Sequence, residues 1–408
     1  SWDGSLIVAP SSRGRPTLHL PVHGLHCSTC LPSGLITDPD DYHIAANQCL
    51  KKHYFYYFLK TWLGDGLLTG PDLSVWRRHR KLLSPLFNQN IVEAFLSLFN
   101  QRSKEIVEDL SSQVGQGLFC HIFYMYKYSL ESVCIQQMFY IVTFRIQNFL
   151  MHSNTLYNWT KLKKEEDKSA QVLLDIYNTV NQPKPFIELI LELSKDDALT
   201  DKEISEELNT IILAGHETTG NALTYTLTLL GSYPKIQEKA YRELLEVFGD
   251  SNRDVEKRDM TKLVYLEAIL KESLRLYTIT PVMLRHVEKD VKLKNYTMPA
   301  GSNCLLFTSG LHRHPLWGPD VDVFKPERWL TPSFEADKTN DVINKIYTPF
   351  GVGRRLCLGQ TYAMISMKTI MCHLLRRYRF RSDVTNINLK IDPLLKPVSG
   401  HEISVELR

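Results

Sequence analysis

The sequence predicts a mainly α-helical fold with a small β-rich subdomain, in one large domain over 35–408 after an irregular segment at 1–34. Three observations carry this. Apolar positions at Ile204, Leu208, Ile211 and Ile212 keep a helical period that continues to Leu230. Two further helical runs, Leu263 to Tyr277 and about Thr361 to Tyr378, lie nearer the C-terminus. Short strand-like pieces stand apart from them at Leu35–Thr37, Val291–Leu293 and Cys304–Phe307.

The 408 residues are 43% hydrophobic and 23% charged, which are globular values. A net charge of +3 gives no nucleic-acid footprint, so an acidic partner must meet a local basic patch. The eight cysteines, at 27, 30, 49, 120, 134, 304, 357 and 372, are irregularly spaced and do not read as a disulfide framework. A reducing compartment follows. Cys27-x-x-Cys30, behind His23 and His26, has the form of a zinc or redox motif. No second ligand pair follows at zinc-ribbon spacing, and the flanking Pro, Gly and Ser read as irregular chain. No apolar run approaches the ~20 residues of a membrane-spanning helix.

In chain order, Leu35-Ile36-Thr37 reads as a strand stopped by Asp38-Pro39. Gly64, Gly66, Gly70 and Pro71 mark a loop. A helical pattern then begins in the basic run Trp76-Arg77-Arg78-His79-Arg80-Lys81 and continues to Leu110. Trp76 and Arg80, four apart, share one face, while Arg77, Arg78 and Lys81 fall on others. Tyr128 to Cys134 reads as a buried helix. Helical periodicity runs over 143–180, charged from Lys161 to Lys168, with breaks near 138–143 and 181–185.

Thr200-x-x-Glu203 is a capping box opening the helix 201–230, about 45 Å long. Gly231 is read as its C′ stop, with Pro234 beyond. Its middle, Ala214-Gly215-His216-Glu217-Thr218-Thr219, is unusually polar. Gly215 there costs about 1 kcal/mol relative to Ala unless something lies flat against it. Thr218 is placed to bond back to the Ala214 carbonyl and bend the helix. In the next helix Glu272 and Arg275 are neighbours at i, i+3. Arg328, in Pro326-Glu327-Arg328-Trp329, is a third charge of interest downstream, and Arg285 opens the strand-like region after Pro281.

The most informative stretch is Phe350 to Gly359. Its glycines at 351, 353 and 359 permit positive φ or close approach to a flat ligand. Cys357 precedes a helix start, where peptide dipoles and Arg355 favour thiolate over thiol. A thiolate in a tight loop under a planar cofactor is the haem-thiolate arrangement. Arg376, Arg377 and Arg379 suit the end of the helix that follows.

This stretch resembles the haem-binding loop of the cytochrome P450 family, F-x-x-G-x-R-x-C-x-G, at Phe350, Gly353, Arg355, Cys357 and Gly359. Four more family patterns occur in order: W-x-x-x-R at Trp76 and Arg80, A/G-G-x-D/E-T-T at 214–219, E-x-x-R at Glu272 and Arg275, and the Arg328 segment. The resemblance implies the P450 fold, with the long helix passing over haem b. It implies Cys357 as iron ligand and Trp76, Arg80, Arg285 and Arg355 as propionate partners. The groove at Gly215 leaves space for dioxygen, Glu217 and Thr218 relay protons, and Glu272, Arg275 and Arg328 form a structural triad. Some fatty-acid-hydroxylating members carry Glu at the position of Ala214, which esterifies the haem. Ala214 therefore implies haem that is non-covalent apart from the Cys357–iron bond.

The likeness is to the animal clan that includes fatty-acid ω-hydroxylases and insect detoxifying members. It implies a monooxygenase that inserts one atom of O2 into a fatty acid, hormone-like lipid or xenobiotic. Electrons come from NADPH through NADPH–cytochrome P450 reductase, with cytochrome b5 a further partner, onto a basic face. That face holds Arg77, Arg78, Lys81, Arg376, Arg377 and Arg379. Such enzymes sit on the cytoplasmic face of the endoplasmic reticulum membrane. The expected N-terminal anchor is absent from this chain, which begins at Ser1, and 119–190 is shorter than in most members. Val405 to Arg408 resembles a normal family ending, which places the missing material at the N-terminus and in the centre. Two departures from pattern, Thr278 and Thr280, replace the usual prolines, whereas His312, Arg313 and Pro315 fit. The rival readings are a reductase-independent lipid isomerase or dehydratase, which needs no Glu217–Thr218 relay, and an incomplete or non-catalytic haem-binding variant.

Overall fold

A computed structural model describes residues 7–8, 33–70, 72–126, 145, 148, 151, 153–168, 199–330 and 339–408. The Cys27/Cys30 motif, Pro71, the helix at Tyr128 to Cys134 and both expected breaks lie outside the described residues.

The β-rich part is built around one four-stranded sheet. Ile7–Val8 (β1) belongs elsewhere, pairing with a C-terminal strand. The main sheet has the order β2 (Ser33–Ile36), β5 (Asn303–Leu306), β4 (Met283–His286), β3 (Lys51–Lys52). β2 runs parallel to β5 and the other pairs are antiparallel, which sets Lys52 directly opposite Arg285. Asp38-Pro39 does more than stop a strand. The Asp38 carboxylate accepts the N–H groups of Asp40 and Asp41, and Pro39 takes the first turn, where its missing N–H costs nothing. The result is α1 (Pro39–Gln48), packed on this sheet through Tyr42, Ala45 and Ala46.

The single helix expected from Trp76 to Leu110 is divided. Asp72 caps α2 (Leu73–Leu83), a 3-10 turn holds Ser84–Phe87, a short helix covers Gln89–Ala94, and α3 (Leu96–Ser111) completes the run. Pro85 cannot donate to the ladder, and the Asn88 side chain accepts the Ile91 N–H, so the chain restarts there. α4 (Ile122–Tyr126) follows. The stretch at 161–168 is helical, within the span whose periodicity implied helix.

α5 (Asp201–Ser232) has the capping box in place and spans 32 residues. It runs through Gly231, which is not its C′ stop. A Cβ at Gly231 would meet the backbone of Arg381 and Ser382 at 2.8 Å, so this glycine serves close packing. The helix ends at Tyr233, and Pro234 opens α6 (Pro234–Phe248). α7 (Val264–Leu276) and α8 (Gln360–Arg377) pack beside α5. Leu227 and Leu230, Leu266 and Leu270, and Met371 and Leu375 are buried together in the largest core. Each such side chain contributes about 1.5–3 kcal/mol through burial.

The C-terminal strands are β6 (Tyr378–Arg381), β7 (Asn388–Asp392), β8 (Leu394–Ser399) and β9 (Ser404–Leu407). β6 pairs with β9, while β7 lies between β1 and β8. Arg379 therefore sits on a strand, not on the end of α8, and meets Glu238 at 3.6 Å. Among the described residues, no helix is long and apolar enough to cross a membrane.

Candidate functional site

The loop before α8 is held by its own backbone. Cys357 N–H donates to the Phe350 carbonyl at 2.9 Å and Leu356 N–H to that of Gly353 at 3.0 Å. Gly351 and Gly353 have φ of 77° and 68°, values that L side chains rarely adopt. At Gly353 a Cβ would also strike the Asn47 side chain of α1. Gly359 differs. Its φ is −89°, as the N-cap of α8, and a Cβ built there meets nothing within 4 Å. Its value is space and not torsion.

The Cys357 side chain is exposed and open to a ligand. Burial of the loop pushes its thiol up, against a hydrogen bond from the Gly359 N–H and the charge of Arg80. Arg80 is thus the cation felt by the sulfur, where the sequence had suggested Arg355. A cation of higher charge on the sulfur itself, such as iron, is what makes it a thiolate.

Beside this loop lies a group of cations. Arg355 stacks on the buried Trp76 ring at 3.8 Å and donates to the carbonyls of Leu50 (3.1 Å) and Leu67 (3.3 Å). Burial, then Arg285 and Arg80, pull its guanidinium down to about 9. Burial, then Arg285 and Arg355, likewise hold Lys52 well below the ordinary lysine range. Arg355 Nη2 and Arg285 Nε are buried with no hydrogen-bond partner. None of Lys52, Arg80, Arg285 and Arg355 forms an ion pair with a carboxylate among the described residues. A buried guanidinium without a carboxylate is costly, and Arg285 is one, so this donor set suits an anionic ligand. The two propionates of haem fit that donor set. Lys52 belongs to this group and was missed. No sequence pattern singled it out, since its pairing with Arg285 joins residues far apart in the chain.

The middle of α5 is polar. A Cβ at Gly215 meets nothing within 4 Å, so a flat group fits against the helix there. Thr218 Oγ1 donates to the Ala214 carbonyl at 2.6 Å. Glu217 is buried, and Lys396 Nζ of β8 lies 2.8 Å from its Oε1, a neighbour the sequence did not suggest.

Behind the site, Glu272 gathers its partners. Arg275 Nη2 donates to Oε1 at 2.8 Å and its Nε to Oε2 at 2.9 Å. Arg328 Nε reaches Oε1 at 2.9 Å, Trp329 Nε1 reaches Oε2 at 3.0 Å, and Lys325 N–H adds 3.2 Å to Oε1. Glu272 and Arg275 are wholly buried and Arg328 nearly so.

Two of the basic residues expected on the docking face have partners within the chain. Arg78 is ion-paired with Glu203 of α5, and Arg376 braces the carbonyls of Ser251 and Arg253. His79, also unremarked in the sequence, is buried between α2 and α5. Its Nδ1 is 2.7 Å from Glu207 Oε1 and its Nε2 is 3.1 Å from Glu203 Oε1. A separate cavity of about 620 Å³, bounded in part by Tyr57, Lys60, Arg145 and Tyr157, shares no residue with the haem loop.

An exposed cysteine in a glycine-bent loop, arginines with no carboxylate partner among the described residues, and a carboxylate-bridged brace are together the parts of a haem-thiolate protein. The cytochrome P450 family matches residues 36–143 and 134–405, and the chain belongs to that family of monooxygenases. The two matched stretches meet at 134–143, where the sequence reading placed its first break. Haem b, bound through a cysteine–iron bond, is the family's cofactor, and its members draw electrons from a redox partner and act on small molecules. Among relatives, the chain is similar to cytochrome P450 4c21 of Blattella germanica, at 31% identity over 88% of this chain and 80% of the relative. It is also similar to cytochrome P450 4V2 of Homo sapiens, at 29% identity over 90% and 78%. These place it with the animal group expected from the sequence. The crystal structure of a cytochrome P450, CYP102L1, superposes with a TM-score of 0.76 at 18% identity, covering 92% of each chain.

Proposed function

We propose that this chain is a working monooxygenase that inserts one atom of O2 into an apolar substrate of the fatty-acid, hormone-like lipid or xenobiotic class. Cys357 ligates the iron, and NADPH supplies electrons through a flavoprotein reductase, with cytochrome b5 as a further donor. The site of action is the cytoplasmic face of the endoplasmic reticulum membrane. When bound, the haem supplies the activation of dioxygen. The observation that carries this reading is the buried Arg285 and the half-buried Arg80 and Arg355, none with a carboxylate partner among the described residues, beside an exposed cysteine.

The chain's own residues then have separable tasks. Arg80, Arg285 and Arg355 bind and orient the propionates, with Trp76 stacked under Arg355 to fix its guanidinium. Phe350, Gly353 and Gly359 shape the loop so that a planar ligand can approach Cys357. Gly215 leaves room above the ring, and Ala214 offers no carboxylate to esterify it, so the haem is held non-covalently except at iron. Glu217 and Thr218 move protons toward the open side of α5. Glu272 fixes Arg275 and Arg328 behind the loop and takes no part in the chemistry. The intact Glu217–Thr218 pair favours oxygen insertion over reductase-independent isomerisation.

The test is turnover of lauric acid under 18O2 with NADPH and a reconstituted reductase, backed by a panel of apolar lipids and xenobiotics. The expected product carries one labelled oxygen and requires NADPH. Product formed without NADPH would support the isomerase reading, and haem binding without any product would support the non-catalytic one.

A further inference from the structure

Within the pair assigned to move protons, Glu217 is the buried member, and Lys396 is the cation beside it among the described residues. Glu217 is 1% exposed, whereas Lys396 is 13% exposed. Lys396 Nζ lies 2.8 Å from Glu217 Oε1, yet neither carboxylate oxygen has an aligned hydrogen-bond partner among the described residues. The contact is therefore electrostatic and loosely directed, the kind that a side-chain rotation breaks. Lys396 sits on β8, whose outer edge is unpaired, and its register with β7 shifts just beyond it, between Pro397 and Ser399. Such a bulge re-aims side chains near sites. Leu394, on the same strand, packs against the cluster that includes Leu213 of α5, and Leu395 N–H donates to the Ile279 carbonyl at 2.9 Å. The strand is thus fixed against the distal side of the site while Lys396 spans from its surface to the helix.

We propose that Lys396 is the residue through which protons reach Glu217, a positioning and relay role beyond the acid–alcohol pair. The inference rests on the monooxygenase reading above. The step balances simply. One N–H bond of the Lys396 ammonium breaks as an O–H bond forms on Glu217, and the amine recovers its proton from water. No electrons move. Thr218 already donates its hydroxyl hydrogen to Ala214, so it is ready to accept from Glu217. The other titratable groups near Glu217 are Tyr126 of α4 and His216 on α5 itself. Burial, with Glu217 adding to it, keeps the Tyr126 phenol un-ionised, and burial lowers His216 despite Glu217. Lys390, the cross-strand neighbour of Lys396, is paired with Asp392 at 2.8 Å.

The experiment compares wild type with Lys396→Met and Lys396→Arg in the reconstituted system, over pH 6 to about 10. It also follows Glu217 protonation by difference infrared spectroscopy of 13C-glutamate-labelled protein, with Glu217→Gln to assign the band. An arginine keeps the charge but does not give up a proton. Both variants should lose product formed per NADPH by ~10²-fold, the low end of a positioned proton donor's contribution. In Lys396→Met the Glu217 carboxylate band should move in frequency, because the cation 2.8 Å from its Oε1 is gone. Full coupling in Lys396→Arg would make Lys396 a mere counter-ion and overturn the proposal, as would an unchanged Glu217 band in Lys396→Met. A wild-type chain that holds haem but shows no NADPH-dependent turnover would instead overturn the monooxygenase reading, and the relay with it.

Discussion

Arg285 shows how a residue can be poorly placed for the protein alone and well placed for its ligand. It is buried, its Nε has no partner, and it acts on the charges of Lys52, opposite it in the sheet, and of Arg355. Arg285→Met should therefore leave the haem-free protein as stable as wild type or more so, by thermal melt. The same change should weaken haem binding by about 10- to 100-fold, the equivalent of a lost hydrogen bond between charged groups at 1.5–3 kcal/mol. Equal losses of apo stability and affinity would mean that Arg285 is an ordinary structural cation. At this scale the sequence was legible where spacing is rigid. Five positions between Phe350 and Gly359 pointed to one loop, and Thr218 bonded back as its helical position required. Lys52 and Lys396 were illegible because each meets the site across a strand pairing or a long sequence separation that no local pattern encodes.

At the scale of elements, α5 was legible at its start and in its middle, since the capping box and the polar interruption are local signals. Its end was misread, because Gly231 answers to Arg381 and Ser382, 150 residues away, and not to helix termination. The division of the run after Trp76 was signalled by Pro85 and Asn88, but the continuing apolar period masked it. The joint between α2 and α5 has a pH signature. Burial pulls the His79 imidazolium down, but the bonds to Glu207 and Glu203 outweigh it, and its affinity for a proton rises above the ordinary 6.5. Burial opposes ionisation of Glu203, but Thr200, His79 and Arg78 bring it down from 4.5 to about 2. A raised imidazole contributes stability that is complete below about pH 6.5 and is lost as pH rises through its folded value. A depressed carboxyl contributes stability present above about pH 4.5 and lost as pH falls toward 2. The melting temperature of wild type should therefore exceed that of His79→Gln most between about pH 4.5 and 6.5, and the gap should close at alkaline pH. A gap constant from pH 5 to 9 would show that the imidazolium does not carry this joint.

At the scale of the whole molecule, the fold class was legible because a few long helices and a small strand set dominate the pattern. The roof of the pocket was not, and much of 127–198 lies outside the described residues. The haem side and the substrate side thus differ in kind. One is fixed by charges and glycines at set spacings, while the other depends on apolar surfaces that many sequences satisfy. The family, the fold and the cation-lined loop converge on one claim, that Cys357 holds haem iron as a thiolate. The most direct measurement is the absorption spectrum of the haem-loaded protein, reduced and bound to carbon monoxide, for wild type and Cys357→His. The wild-type Soret band should lie far to the red of that in Cys357→His, as thiolate ligation requires. A wild-type band at the position of a histidine-ligated haem, or identical bands in both proteins, would contradict the account.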